Sequence, residues 1–387
     1  MTIDLFESDL RKDLRSAVDR ICADYPDDYW RSIDRDRLYP EKFVEALTET
    51  GCLGALVPEE FGGLGLGMGD ASVILEQINA NGANAGPVHA QLYTMGALLR
   101  HGTDEQKRKY LPDIASGDIR LQAFAITEPT AGSDTTNIST RAVRDGDSYV
   151  INGQKVFISR VQHSDLMLVL ARTTPKEEVK KKSDGLSVFL LDMRELEGIT
   201  ARPIRTMVNH ETNELFFDNV RVPASSLVGE EGQGFKHVLD GMNAERILVA
   251  AECIGDGRWF IDRTTKYVRE RVVFGRPIGA NQGVQFPIAR AHINLESADL
   301  MRWRASDLFD AGLPCGAEAN MAKLLASEAS WEAANAALQF HGGYGMTEEY
   351  DIERKFRETR LYQIAPISTN MILSYVGQHV LEMPRSF

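Results

Sequence analysis

Apolar residues follow a helical period at both ends of the chain and a strand period between them. Leu10, Leu14, Val18 and Ile21 recur every three or four positions, as do the apolar residues of "YPEKFVEALTETG" and "ASVILEQINA". These stretches predict amphipathic helices over roughly the first 120 residues. "LLRHGTDEQKRKYLPDIASGD" predicts a further helix, stopped at its proline. Between them, "FGGLGLGMGD" invites a nucleotide-loop reading, but no register in it satisfies G-x-G-x-x-G, so it is expected to be a flexible connection.

From residue 121 the period changes. "LQAFAITE", "STRAVR", "SYVI", "QKVFIS", "DLMLVLAR", "LSVFLLDM" and "ELFFDNVRV" are short, rich in β-branched and aromatic residues, and separated by turn signals. Asp145-Gly146 and Asn152-Gly153 are expected to be hairpin turns. The lysine-bearing "PKEEVKKKSDG" reads as a solvated loop. Helical period returns from Phe235, and "MRWRASDLFDAGLPCG" and "AEANMAKLLASEASWEAANAALQF" suit the long helices of a bundle. Strand and helix do not alternate, which excludes a doubly wound sheet. The expectation is an α+β multidomain chain: helices over 1–120, an all-β domain over 121–232 and a helical bundle over 233–387.

Composition narrows the function classes. The formal charge of −13 and the acidic balance disfavour a phosphate backbone as partner. Cys22, Cys52, Cys253 and Cys315 are far apart, in no metal spacing, and read as free thiols of a reducing compartment. The eight histidines form no ligand cluster, and "HETNE" at His210 is not H-E-x-x-H, so no metal is expected. Apolar runs are too short to span a bilayer, and "MTIDLFESDLRKDL" lacks the basic flank and apolar core of a leader; a cytoplasmic protein is expected.

One window sets an acid and a base in an apolar run: "GMNAERILVAAECIGDGRWF", residues 241–260. At about 100° per residue, Glu245, Glu252 and Asp256 share nearly one azimuth, and taken alone they read as a solvated stripe.

At "AFAITEPTAGSD" the chain resembles the acyl-CoA dehydrogenase family of flavoproteins. "PEEFGGLG", "HGTDEQKRKYLP", "INGQKVFIS", "GEEGQGF", "RVVFGRPIGANQ" and "LQFHGGYGMTEEYDIERKFRETRLYQI" follow in the family's order over nearly the whole chain. The resemblance implies an N-terminal helical domain, a middle β-barrel and a C-terminal four-helix bundle. It also implies FAD between barrel and bundle, completed by a neighbouring subunit of a homotetramer. By position, Phe124, Ile126 and Thr127 would line the flavin ring. Gly132 and Ser133 would approach flavin and substrate, and Phe157 and Ser159 would flank the ring's other side. Without the family, Phe124 and Phe157 read equally well as barrel core. Arg271 would meet the pyrophosphate, which its planar fork suits. Phe274, Gln282, Gln339, Gly342 and Gly343 match the family's adenine-side and neighbour-subunit positions, while Ser368 and Asn370 would also reach FAD.

Two departures stand out. After "KVFIS" the family usually continues with asparagine and a small residue, where this chain has Arg160-Val161. In "RLYQIAPISTN", Pro366 occupies the place of the loop glutamate that serves most members as base. Proline can neither accept a proton there nor donate a backbone N–H. A minority of the family, resembling the isovaleryl- and long-chain-type enzymes, carries the base on a bundle helix, as glutamate followed by arginine and an apolar run. Here that is Glu245-Arg246-Ile247-Leu248, so the resemblance makes Glu245 the catalytic base, with Asn243 and Ser133 on the substrate side and Arg246 either a CoA-side contact or structural.

The chemistry implied is α,β-dehydrogenation of an acyl-CoA to the trans-2-enoyl-CoA, with an electron-transfer flavoprotein as acceptor. A proton α to a thioester is weakly acidic and needs a positioned base, while the carbonyl oxygen gains charge. Two alternatives stay open: a non-oxidative elimination on the same fold, and a flavin-bearing binding or damage-response relative. Acyl length and branching are not encoded by any rule in the sequence.

Overall fold

The computed structural model describes residues 7–385; part of the acidic opening read above for a leader, Met1–Phe6, lies outside the described residues. The first helices are α1 (Asp9–Ala23), α2 (Asp27–Asp36), α3 (Glu41–Glu49), α4 (Met68–Ala80), α5 (Gly86–His101) and α6 (Asp104–Ser116). Then come β1 (Ala123–Ala125), β2 (Arg141–Asp145), β3 (Ser148–Ser159), β4 (Leu166–Arg172), β5 (Leu186–Asp192), β6 (Ile199–Pro203), β7 (Thr212–Pro223) and β8 (Leu227–Val228). The helix α7 (Gly234–Glu270) and the hairpin β9 (Val272–Val273) and β10 (Arg276–Pro277) lead to α8 (Gln282–Asp310), α9 (Gly316–His341), α10 (Ile352–Arg360) and α11 (Thr369–Tyr375). The chain divides into two compact units: residues 1–36, 67–85 and 243–387, and residues 37–66 and 86–242.

In the first unit, α9 packs along α8, with α10 against α9 and α4 against α1 and α8. The alanines of α9 allow this approach: Ala333, Ala334 and Ala337 pack in one core with Trp259, Phe260, Ala291 and Ile352. The glycine-rich connection ends on a specific contact. Asp310, at the end of α8, accepts the Met68 and Gly69 N–H groups at 2.6 and 2.9 Å, capping α4 where Gly67 offers no side chain. A Cβ on Gly67 would sit 2.8 Å from that carboxylate. The helices are also bound by buried charge. Arg302, wholly buried on α8, bonds Glu76 of α4 at 3.0 Å and Ser72 at 2.6 Å.

The second unit holds the sheet, with strand order β6-β7-β3-β2-β4-β5-β8 and β1 paired to β4. The expected barrel is not closed. Its end strands, β6 and the two-residue β8, do not pair, and a barrel requires that they do. Mid-path, β2 meets β4 only at Arg141↔Arg172. The core lies between the two halves: Tyr149, Ile151, Leu215 and Phe217 face Met167, Val169, Phe189 and Leu191. The period-two alternation of each strand puts these residues on one side.

Two local expectations need correction. Asp145-Gly146 does turn β2 into β3, with Gly146 at φ +63°. Asn152-Gly153 is no turn: it lies inside β3, where the ladder with β7 shifts register between Ile151 and Gly153. Thr140 passes so close that a Cβ on Gly153 would fall against its hydroxyl, so glycine is needed for that approach, opposite the extra residue β7 carries between Phe217 and Val220. Pro112 does not stop its helix either; α6 runs on to Ser116 and ends at Gly117, whose φ of +86° only glycine adopts readily.

Candidate functional site

In the second unit the expected ring-lining residues sit on and beside β1. Phe124 pairs in β1 with Leu168 and is half-buried, its ring 6.3 Å from that of Tyr93 on α5. Ile126 and Thr127 follow in extended chain, tied down by their carbonyls. The Thr127 carbonyl accepts the Val156 N–H at 2.9 Å, and Lys155 Nζ donates to the Ile126 carbonyl at 2.8 Å. Lys155 is fully buried and pairs with Glu128 at 3.0 Å. Glu128 also accepts the Ser139 and Thr140 N–H groups at 2.6 and 2.9 Å. Burial opposes ionisation of Glu128, yet Lys155 and these hydrogen bonds outweigh it and hold the carboxyl at about 2. Burial draws Lys155 down to about 8, so the pair remains charged at neutral pH.

This clamp frames the exposed turn of Gly132 and Ser133. On β3, a second register shift between Lys155 and Ile158 places Phe157 at φ +60° and 63% exposed. Phe157 is therefore not core; the bulge turns an aromatic ring outward, where a ligand can use it. Ser159 Oγ accepts from Asn209 at 2.6 Å. Arg160, the departure after "KVFIS", adopts φ +60° and opens a short helical turn toward His163.

In the first unit α7 carries Asn243, Glu245 and Arg246. The solvated-stripe expectation is wrong here: Glu245, Glu252 and Asp256 are only 8%, 2% and 0% exposed. The stripe faces inward because buried bases on α9 and α10 offset it. Lys355 Nζ lies 2.6 Å from Asp256, and Glu245 acts on Lys323 of α9. Burial raises Asp256 to about 7 against that lysine's pull. Arg246 is buried too and donates to Asn243 at 3.0 Å.

Lys323 brings the loop of Pro366 to this same neighbourhood. Its Nζ donates to the Ile367 carbonyl at 2.7 Å, one residue beyond the cis Ala365-Pro366 bond. Ser368 has a local duty as N-cap of α11, accepting the Met371 N–H at 3.4 Å, and Asn370 is exposed.

A second open region of this unit gathers Arg271, Gly342 and Gly343 with Tyr267, His341 and Tyr344 around a cleft of about 440 Å³. A Cβ on either glycine would meet nothing within 4 Å, so these glycines leave backbone bare rather than relieve packing. Gln339 and Gln282 are exposed, and Phe274 stands wholly in solvent at φ +54°. Gln282, Phe274 and Gln339 are not among the residues lining the cleft.

Three functional candidates escaped the sequence reading: Glu128, Lys155 and Lys323. Two of them left a signal in register. Lys155 shares the inward parity of Tyr149 and Ile151 along β3, and Lys323 shares the inward face of α9 with Ala319, Ala326 and Ser330. A lysine at a core position marks a buried ion pair or a held carbonyl.

Comparison with known proteins agrees with this architecture. The N-terminal, middle and C-terminal domain models of acyl-CoA dehydrogenase match residues 8–118, 123–220 and 232–381. An acyl-CoA dehydrogenase of Mycobacterium bovis is 39% identical over 386 residues, 98% of each chain. The butyryl-CoA dehydrogenase of Megasphaera elsdenii superposes with a TM-score of 0.91 at 28% identity, covering 98% of this chain and 100% of that one. The FAD complex of PigA superposes at 0.90 with 26% identity, covering 98% and 99%. The chain belongs to the acyl-CoA dehydrogenase family of oxidoreductases.

Proposed function

We propose that this member of the acyl-CoA dehydrogenase family uses FAD to convert an acyl-CoA into the trans-2-enoyl-CoA, with Glu245 as base. The observation that carries the assignment is the burial of Glu245 on α7, on a helix whose charges act on Lys323, the lysine that also holds the loop in which Pro366 stands. A carboxylate on a surface stripe would be a feeble base, near its reference pKa of about 4.3. Burial takes Glu245 off that surface and out of bulk water.

Each unit by itself carries groups suited to part of FAD. In the second unit Phe124 and Phe157 offer apolar ring faces; in the first, Arg271 offers a guanidinium fork, with Gly342 and Gly343 giving bare backbone at the same cleft. When bound, the cofactor supplies the acceptor for the β-hydrogen and its electron pair. The protein's own part is to bind, orient and take the α-proton. Glu245 receives it on its carboxylate. Arg246, braced by Asn243, gives a fixed positive charge one residue away, suited to the CoA side. The thioester oxygen needs donors as it gains charge. Residue 366 has none; the Ile367 N–H would take that role, with a hydroxyl of bound FAD as a second donor.

The assembly is a homotetramer with an electron-transfer flavoprotein as acceptor, and the domains divide at 120/121 and 232/233. Phe286, Ile293 and Leu300 support the oligomer: they lie exposed at seven-residue spacing on α8, not far in sequence from the bare Phe274. Among the described residues no helix is long and apolar enough to cross a membrane.

The test is a panel of short, long, branched and aryl acyl-CoA thioesters, mixed anaerobically with the purified protein. Bleaching of the flavin absorbance by one class, with the matching enoyl-CoA formed, supports dehydrogenation and names the substrate. Acyl-CoA turnover without bleaching moves the reading to a non-oxidative elimination, which the proline at 366 would favour.

A further inference from the structure

Asn209 stands in the loop before β7 at φ +55°, a conformation asparagine tolerates, and its amide reaches the end of β3. Ser159 and Thr212 are partners in the β3–β7 ladder there. Asn209 Nδ2 donates to both hydroxyls, to Ser159 Oγ at 2.6 Å and to Thr212 Oγ1 at 3.0 Å. Thr212 in turn donates to the Asn209 backbone carbonyl at 2.6 Å, and that bond fixes the direction of the whole chain. A hydroxyl has one hydrogen, and buried Thr212 has committed it to the carbonyl, so its oxygen can only accept from the side chain at 209. The amide must therefore present its NH2 and not its oxygen, and the second N–H goes to Ser159. Ser159 Oγ is thus held as an acceptor, and its own hydrogen has no acceptor among the described residues. Ile158 beside it joins the sheet core, so by the period of two the half-buried Ser159 points the opposite way.

Resting on the reading that Phe157 and Ser159 flank the ring of FAD, we propose that Asn209 is a positioning residue for the cofactor. It fixes the Ser159 hydroxyl so that the O–H donates outward, to the polar edge of the ring. A free serine hydroxyl rotates and serves as donor or acceptor in turn. The amide leaves it one role. A donor already in place when the ring arrives needs no ordering at the moment of binding, which is the gain from preorganisation. Asn209 acts through Ser159 and needs no contact with the ring.

The experiment reads two quantities: the FAD dissociation constant, and the position of the flavin's visible absorption band in the loaded protein, which moves with hydrogen-bond donors at the ring. Thermal unfolding of each variant checks that the fold is kept. Ser159→Ala removes the donor, so it should weaken FAD binding about three- to tenfold, the worth of one neutral hydrogen bond, and shift the band. Asn209→Asp keeps the shape, but its carboxylate can only accept, so it draws the Ser159 hydrogen inward. Affinity should fall by at least as much, with the band shifted the same way. On the Ser159→Ala background the same substitution should cost less than in the parent, because only its added charge then acts. Asn209→Gly suits φ +55° and adds no charge. Alone it should move both readings part of the way, and combined with Ser159→Ala it should add nothing. A loss from Asn209→Gly that is equal with and without Ser159 would mean that residue 209 serves its loop alone, and would overturn the proposal. So would a band left at its parental position by both Asn209 variants while Ser159→Ala shifts it. If Ser159→Ala changes neither reading, the placement of Ser159 at the ring falls, and the proposal with it.

Discussion

Lys155 Nζ stands 3.0 Å from Glu128 and 2.8 Å from the Ile126 carbonyl, so one buried ion pair fixes the strand end that carries Phe124, Ile126 and Thr127. Lys323 repeats the device in the other unit, on the Ile367 carbonyl. In both, a lysine inside the fold holds an irregular segment whose backbone would otherwise lack a regular partner.

Lys155→Met should leave the Glu128 charge buried without its cation, at a cost of about 3–5 kcal/mol. Thermal unfolding checks it, and FAD affinity should fall with the loosened strand end. The acid dependence follows from Glu128. Its folded value of about 2 lies below that of an unfolded carboxylate, so its contribution is complete above the ordinary carboxylate range and is lost as pH falls toward 2. Glu128→Gln should flatten that part of the stability curve. An unchanged acid transition would remove the pair from the stability argument.

Glu245→Gln should slow flavin reduction by acyl-CoA at least about 10²-fold, while FAD content and product binding survive. Glu252 is buried and cannot serve as a surface control; exposed Asp262 on the same helix can, through Asp262→Asn. Equal rates in the two variants, by anaerobic stopped flow, would return Glu245 to a structural role. Moving the acid to the loop, as Glu245→Gly with Pro366→Glu, should recover part of the lost rate.

Arg271→Ala should weaken FAD binding by roughly ten- to a hundred-fold, the worth of a charge-assisted hydrogen bond. Titration of apoprotein with FAD measures it. An unchanged dissociation constant would take Arg271 out of the phosphate site, leaving Gly342 and Gly343 as its backbone donors.

Pro366→Gly should bind acyl-CoA at least as tightly as the parent, since it adds an N–H beside the thioester oxygen and removes no assigned contact. Complete loss of turnover with FAD and fold intact would show that the proline has a positive role.

Ile293→Glu should disrupt a tetramer, because a charge in the middle of the Phe286, Ile293 and Leu300 row cannot be buried without a partner. Light scattering after size exclusion reads the mass. A parental mass would place the subunit interface elsewhere.

Period and turn chemistry in the sequence determined the order of helices, sheet and helices, the hairpin at Asp145-Gly146 and the long α8 and α9. These are local properties: side-chain spacing and a glycine's backbone freedom act within a few residues. Only the tertiary structure decided which way a face points. Glu245, Glu252 and Asp256 share an azimuth that reads as solvated until Lys323 and Lys355 arrive from helices about 70 and 100 residues on in the chain. Asn152-Gly153 reads as a turn until β7 pairs along it and Thr140 packs against the glycine. Pro112 reads as a stop, yet α6 carries it and ends at Gly117. The sheet stays open because its end strands fail to meet, a matter of pairing that no strand contains in itself. Charge burial, close backbone approach and strand closure all depend on partners distant in the chain, and those partners exist only once it has folded.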